Sequence, residues 1–262
     1  MTTPVVFTVN ALTVGQGKET PTDWESASRS IDAFVNIVLG AGIPVTIFAT
    51  PEAARAHTPM FEEFIDRGCQ IGLLLIPPQS PLIHAKKHVG VLDISQQDAA
   101  LEQAKTLFQE YMGYRPTVLR TGLHSGSVDF FRLCQKHNFT HTSIRLPGAQ
   151  LSQIGTVWPE ADVQVVETHG VIDIPVTTDP AHRLFNRFPL YLSSEISENG
   201  RHAELIARGH RHGHICITAS NVASYWDPTQ PATKNLYTLI DAITDQSTYS
   251  AGLISQLRPK MA

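Results

Sequence analysis

The chain has few cysteines, no excess of positive charge and no long apolar run, and each shortage removes a class of function. Three cysteines (Cys69, Cys134 and Cys216) stand among 262 residues. An odd count without metal-ligand spacing offers neither a fully paired disulfide framework nor a zinc knuckle, and each lies in an apolar segment. That is the pattern of buried free thiols in a reducing compartment. No stretch reaches the ~20 apolar residues of a membrane-spanning helix. The opening MTTPVVFTVN lacks a basic region ahead of an apolar core, so no signal peptide is expected and the expected location is the cytoplasm. In that setting the sequon Asn138-Phe139-Thr140 carries no meaning. The 20 Lys and Arg against 24 Asp and Glu leave a net charge of −4, which speaks against nucleic acid and against an anionic membrane surface.

Two catalytic signatures are missing as well. There is no G-x-S-x-G elbow for a serine nucleophile. Ser125-Gly126-Ser127 after His124 reads instead as a helix start capped by Ser125 or Ser127. Gly15-Gln16-Gly17-Lys18 lacks the spacing of a phosphate-binding loop and reads as plain loop.

What is present is a regular alternation of strands and helices in one domain, 1–262. Apolar, β-branched runs at 5–10 (VVFTVN), 43–49 (IPVTIFA), 117–120 (TVLR), 140–144, 171–176 (VIDIPV) and 214–219 (HICITA) read as strands. Segments with apolar residues at helical spacing lie between them: 24–39, 51–67, 95–112 (with Ser95 as cap), 128–137, 203–208 and 236–244. The stretch Gly68-Cys69-Gln70-Ile71-Gly72-Leu73-Leu74-Leu75-Ile76-Pro77-Pro78 is organised as a strand buried on both faces, started by Gly and stopped by Pro-Pro. Alternation of this kind means a mainly parallel sheet with helices outside it. Such folds keep their chemistry at the carboxyl ends of the strands. At the end of this strand stand only Leu74, Leu75, Ile76, Pro77 and Pro78.

The order of elements resembles the polysaccharide deacetylases (carbohydrate esterase family 4). Phe7-Thr8-Val9-Asn10-Ala11 sits where that family has a strand ending in two aspartates. Gly42 to Phe48 resembles its second strand, and Arg67-Gly68-Cys69-Gln70-Ile71-Gly72 is similar to its G-H-E-I-G. Gly113 to Arg120 resembles G-x-x-P-x-x-F-R, with Gly122 near the turn that follows, and Val171 to Val176 resembles L-x-E-I-P-V. The resemblance implies a distorted (β/α)7 barrel.

It also implies a metal-dependent hydrolase, with one aspartate as base and a second aspartate and two histidines holding zinc. Matched position by position, the base falls on Asn10, the metal aspartate on Ala11, the first histidine on Leu74 and the second on Ile76 or Pro78. Ala, Leu, Ile and Pro cannot coordinate zinc, and an amide cannot take up a proton at neutral pH. The late histidine of the family falls near Ile217-Thr218-Ala219-Ser220, where none stands. Arg120, which in active relatives orients the base, is kept.

Two readings follow. In the first, the barrel has lost its metal site and its hydrolysis, and binds a small-molecule or carbohydrate-like ligand through Asn10, Arg120, His124, Leu74 and Ile76, with no cofactor. In the second, a displaced zinc at His84, His88 and His124 serves an amidohydrolase acting on an acetylated sugar. Against the second, Lys86 and Lys87 lie between the first two ligands. The alternating histidines of 208–214 (RGHRHGH) precede a strand and read as a solvated turn on the amino-terminal face. His169 and His182 receive no role, and the loop 79–93 is a possible cover for the barrel mouth.

Overall fold

The computed structural model describes residues 2–15, 20–184, 188–196, 201–244 and 247–259. Three of the four residues of the Gly15-Gln16-Gly17-Lys18 stretch lie outside them. The first half of the chain is a succession of strand–helix units. β1 (Thr3–Ala11) is followed by α1 (Trp24–Gly40), whose first turn is held by the Asp23 carboxylate accepting from Ser26 N at 2.5 Å. β2 (Val45–Ala49) leads into α2 (Pro51–Asp66), capped by Thr50 and kinked at His57, ahead of Pro59. A proline there leaves one backbone carbonyl without its donor, which accounts for the kink. β3 (Gln70–Leu75), α3 (Ile94–Met112), β4 (Val118–Thr121), α4 (Phe130–Lys136) and β5 (His141–Thr142) complete the series. The cap of α3 is Asp93 in a reciprocal box with Gln96, rather than Ser95, whose hydroxyl donates to the Asp93 carboxylate at 2.8 Å.

The second half is less regular. A small ribbon pairs β6 (Gln150–Leu151) with β7 (Thr156–Val157), and β8 (Val166–Thr168) pairs antiparallel with β9 (Val171–Asp173). A hairpin of β10 (Thr178–Leu184) and β11 (Phe188–Tyr191) comes next. Then follow α5 (His202–His212), β12 (Ile215–Ser220), α6 (Pro231–Thr244) and β13 (Tyr249–Ala251). The expected turn at 208–214 is instead the end of α5, which runs through Gly209 and stops at Gly213 in the left-handed conformation (φ 86°).

The main sheet runs β12-β1-β2-β3-β4-β5-β9-β8, with β13 also pairing to β1. Every pair except β8–β9 is parallel. This is the α/β fold expected, an incompletely closed and distorted barrel, but its curled sheet has eight strands in sequence rather than seven. Among the described residues no ladder joins β9 to β12. Single hydrogen bonds cross the gap instead: Thr177 N to Cys216 O (3.2 Å), Leu192 N to Thr177 O (2.8 Å) and Thr218 N to Leu192 O (3.1 Å). Helix faces such as Ile31, Phe34 and Val38 of α1 and Leu101, Ala104 and Phe108 of α3 close off the outside of the sheet. All three cysteines are buried and free. Among the described residues no helix is long and apolar enough to cross a membrane.

Candidate functional site

The carboxyl ends of β1, β3, β4 and β12 open into a cavity of about 450 Å³. Asn10, Leu74, Ile76 and His124 all line it, so four of the five ligand-binding candidates share one space. The fifth, Arg120, lies directly below. Register explains the grouping, because Leu74 stands opposite Arg120 across β3–β4, and Asn10 opposite Ser220 across β1–β12.

Arg120 is fully buried, the largest side chain among the described residues to be so. No carboxylate among them bonds it. Its Nη1 donates to Thr8 Oγ1 (2.9 Å), Asn10 Oδ1 (3.1 Å) and Thr218 Oγ1 (3.0 Å), and its Nη2 to Ser143 Oγ (2.8 Å). The guanidinium also lies over the Phe48 ring, 4.4 Å from its centre. Burial lowers its pKa to about 10, so it stays charged at neutral pH. The contact with Asn10 has a chemical consequence. Because Oδ1 is occupied by the guanidinium, the Asn10 NH2 is left as the free end, and it donates to no group among the described residues. Where the family resemblance has a carboxylate that accepts, this floor has an amide that gives, backed by a positive charge.

His124 reaches the cavity through strain. Leu123 and His124 both lie in the left-handed region, at φ 52° and 57°, a conformation costing about 1–3 kcal/mol per non-glycine residue. The carbonyls of the pair are pinned, Leu123 O by Thr156 Oγ1 (2.9 Å) and His124 O by the indole of Trp158 (2.8 Å). Burial, reinforced by the Arg120 charge, pushes the imidazole pKa down to about 3. His124 is therefore a neutral ring, and its Nδ1 is buried with no hydrogen-bond partner among the described residues. Of the two capping serines expected here, Ser127 does accept from Phe130 N at 3.3 Å. Ser125 instead ties two loops, accepting from Gly90 N (2.8 Å) and donating to Ile154 O (2.5 Å).

The remaining wall comes from a region that the sequence left without a role. Leu184, Phe188 and Tyr191 of the β10–β11 hairpin line the cavity, followed by Ser193 and Glu195. Glu195 stands at the rim with its carboxylate accepting from Ser220 N and from the Tyr225 hydroxyl (3.3 Å). Tyr225 is buried and also pairs with Ser194 Oγ at 2.6 Å. Glu195 is exposed as a residue, while the packing around its carboxyl raises its pKa by desolvation to about 7 against those two hydrogen bonds. The loop 79–93 does not cover the mouth, since only Gln79 of it lines the cavity. It is held down by Lys86 Nζ on Ser80 O (3.0 Å) and Ile83 O (2.9 Å), by Ser80 Oγ on the Glu52 carboxylate, and by Gly90 packed on Gly155.

The donor set does not fit zinc. Asn10, Ala11, Leu74 and Ile76 offer one amide and three hydrocarbons, and Thr218, Ala219 and Ser220 stand where a late histidine would be. The displaced site at His84, His88 and His124 is not formed either. His84 is exposed on a loop whose amide is bonded to Gln103 (3.0 Å), and His88 opens the 3₁₀ turn Val89–Val91, while His124 alone faces the cavity. Among the described residues no group of three or more His, Cys, Asp or Glu is placed to hold a metal ion. Four further histidines have structural partners. His210 bonds Thr3 Oγ1 (2.8 Å), His214 bonds Pro175 O (2.9 Å), His182 pairs with Asp179 (2.6 Å), and His169 accepts from Arg132 (3.3 Å).

No family model matches the chain, and no curated protein matches it in sequence. Solved structures do resemble it. A Mycobacterium smegmatis protein provisionally described as a polysaccharide deacetylase superposes with a TM-score of 0.65 at 14% identity, over 97% of this chain and 87% of that one. A Puue allantoinase gives 0.61 at 13% identity, over 95% and 87%. A wild-type pseudoenzyme of carbohydrate esterase family 4 from Bacillus anthracis gives 0.53 at 12% identity, over 98% of this chain and 65% of that one. At these identities the likeness is one of fold, an α/β barrel of the polysaccharide-deacetylase type.

Proposed function

We propose that this chain is a divergent relative of the carbohydrate esterase family 4 barrels, one that has lost metal-dependent deacetylation and uses the old pocket to bind a small, carbohydrate-like ligand. The observation that carries this reading is the exchange at the pocket floor. The positions of base and metal ligands are held by an amide and by aliphatic side chains, while the cavity itself and Arg120 beneath it persist. The Asn10 amide donates to a ligand oxygen, a hydroxyl or an acetamido carbonyl, and the Arg120 charge strengthens that bond from behind. Leu74, Ile76, Leu146 and Phe188 supply apolar surface for the C–H face of a ring. No metal enters, and no step of deacetylation is assigned.

Calorimetric titration with N-acetylglucosamine and its short oligomers tests the reading. Binding is expected with and without chelator. Asn10→Leu should weaken it by about 1 kcal/mol, roughly fivefold, as one hydrogen bond is lost. Heat that disappears on chelation, or affinity indifferent to Asn10→Leu, would count against it.

A further inference from the structure

Glu195 has no part in the binding scheme above, yet its position is specific. Its carboxylate is bonded to the backbone N–H of Ser220, and Ser220 is the register partner of Asn10 across β1–β12. Neighbouring parallel strands lie about 4.8 Å apart. The carboxylate and the donating amide of Asn10 therefore stand within one small molecule's reach, on the wall of one cavity. Only one carboxylate oxygen is engaged. Oε1 takes the bonds from Ser220 and Tyr225, and Oε2 makes none among the described residues. The groups around it are proton donors that remain neutral. Tyr225 and Tyr191 are both raised by burial, and His124 is held uncharged. Arg120 lies beneath Asn10 and Thr218, both of which it bonds.

We infer that Glu195 is a general base serving this pocket, and that the cavity supports metal-free removal of a proton from a ligand whose acceptor oxygen is held by the Asn10 amide. The substrate class is a carbonyl compound with an acidic C–H next to the carbonyl. Oε2 takes the proton, the C–H electron pair forms the C=C bond of an enolate, and the carbonyl π pair moves to the oxygen. Asn10 N–H and the charge of Arg120 stabilise that oxygen. The proton then returns from Glu195 to the same carbon, so no other reactant is consumed. A carboxylate whose pKa lies near neutrality suits this task, being both ionised in part and basic. The inference rests on the cavity being a ligand site, but not on the ligand being a sugar.

The test is turnover of 5-nitrobenzisoxazole, an apolar probe that opens to a coloured cyanophenolate when a base removes its ring C–H proton and the N–O bond breaks. Wild-type protein in chelator is expected to exceed Glu195→Gln by about 10²-fold. The rate should rise with pH and level off above about 7, because only the ionised carboxylate accepts a proton. Tyr225→Phe, which removes a bond that holds this pKa down, should move the inflection to higher pH. Equal rates in wild type and Glu195→Gln, or a pH profile untouched by Tyr225→Phe, overturn the assignment. Probe turnover without sugar binding would sink only the ligand class, and sugar binding without turnover would sink only the base.

Discussion

A guanidinium sealed from water without a carboxylate in contact must be held by neutral acceptors, and the interior of this barrel is arranged to supply them. Two threonines, a serine and an asparagine from β1, β12 and the segment after β5 converge on Arg120. Arg120→Met is expected to destabilise the protein by about 3–5 kcal/mol, because it strands several polar groups at once in a site of fixed volume. Urea unfolding monitored by circular dichroism measures this, and a loss below about 1 kcal/mol would show that those hydroxyls find other partners. Arg120→Lys should recover only part of the loss, since an ammonium cannot span acceptors spread on both sides of a planar fork. Leu74 and Ile76 were legible as the carboxyl end of an apolar strand stopped by Pro-Pro, and Asn10 through the family resemblance. Glu195 was not. It lies in an irregular segment behind a hairpin, in a polar stretch (SSEISENG) with no periodicity. Only its register through Ser220 brings it to the cavity, and register between β1 and β12, more than 200 residues apart, is invisible in local pattern.

At the scale of elements, the informative contact is between two loops. Gly90 and Gly155 approach so closely that a Cβ on Gly90 would lie 2.2 Å from Gly155 O, and one on Gly155 would lie 2.3 Å from the Gly90 carbonyl carbon. The Ser125 hydroxyl bonds to both loops beside this contact. Gly90→Ala should therefore separate the loops and free the Leu123–His124 turn, whose carbonyls hang on Thr156 and Trp158 nearby. The expected result is a loss of about 1–3 kcal/mol, as for other overpacked sites, together with blue-to-red movement of the Trp158 fluorescence as its indole leaves the His124 carbonyl. An unaltered spectrum would contradict the coupling. The strands of the first half were readable because apolar runs bounded by Gly and Pro have few alternatives. The end of α5 was misread as a turn because its alternating histidines directly precede a strand. In the fold Gly209 is an interior helical residue, small because a Cβ would lie 2.8 Å from Ile215 and 2.9 Å from His214 O.

The molecule as a whole is a barrel with one side joined differently from the rest. Between β12 and β5 each strand is fastened to the next by a ladder, whereas between β9 and β12 the described residues show only scattered bonds and one isolated bridge, through Thr177, Leu192, Ser193 and Thr218. Single bonds without ladder neighbours open at low free-energy cost. Hydrogen–deuterium exchange should therefore find the amides of Thr177, Leu192 and Thr218 exchanging well ahead of those of Phe7, Val9 and Ile47. Uniform protection around the sheet would refute that. The same segment carries Tyr191, Ser193, Glu195 and Thr218 to the cavity wall, so an occupant of the cavity grips both margins of the opening. Under the proposed binding function, filling the pocket would draw the barrel shut, with the ligand as the missing stave and its departure leaving the vessel ready to gape along that side.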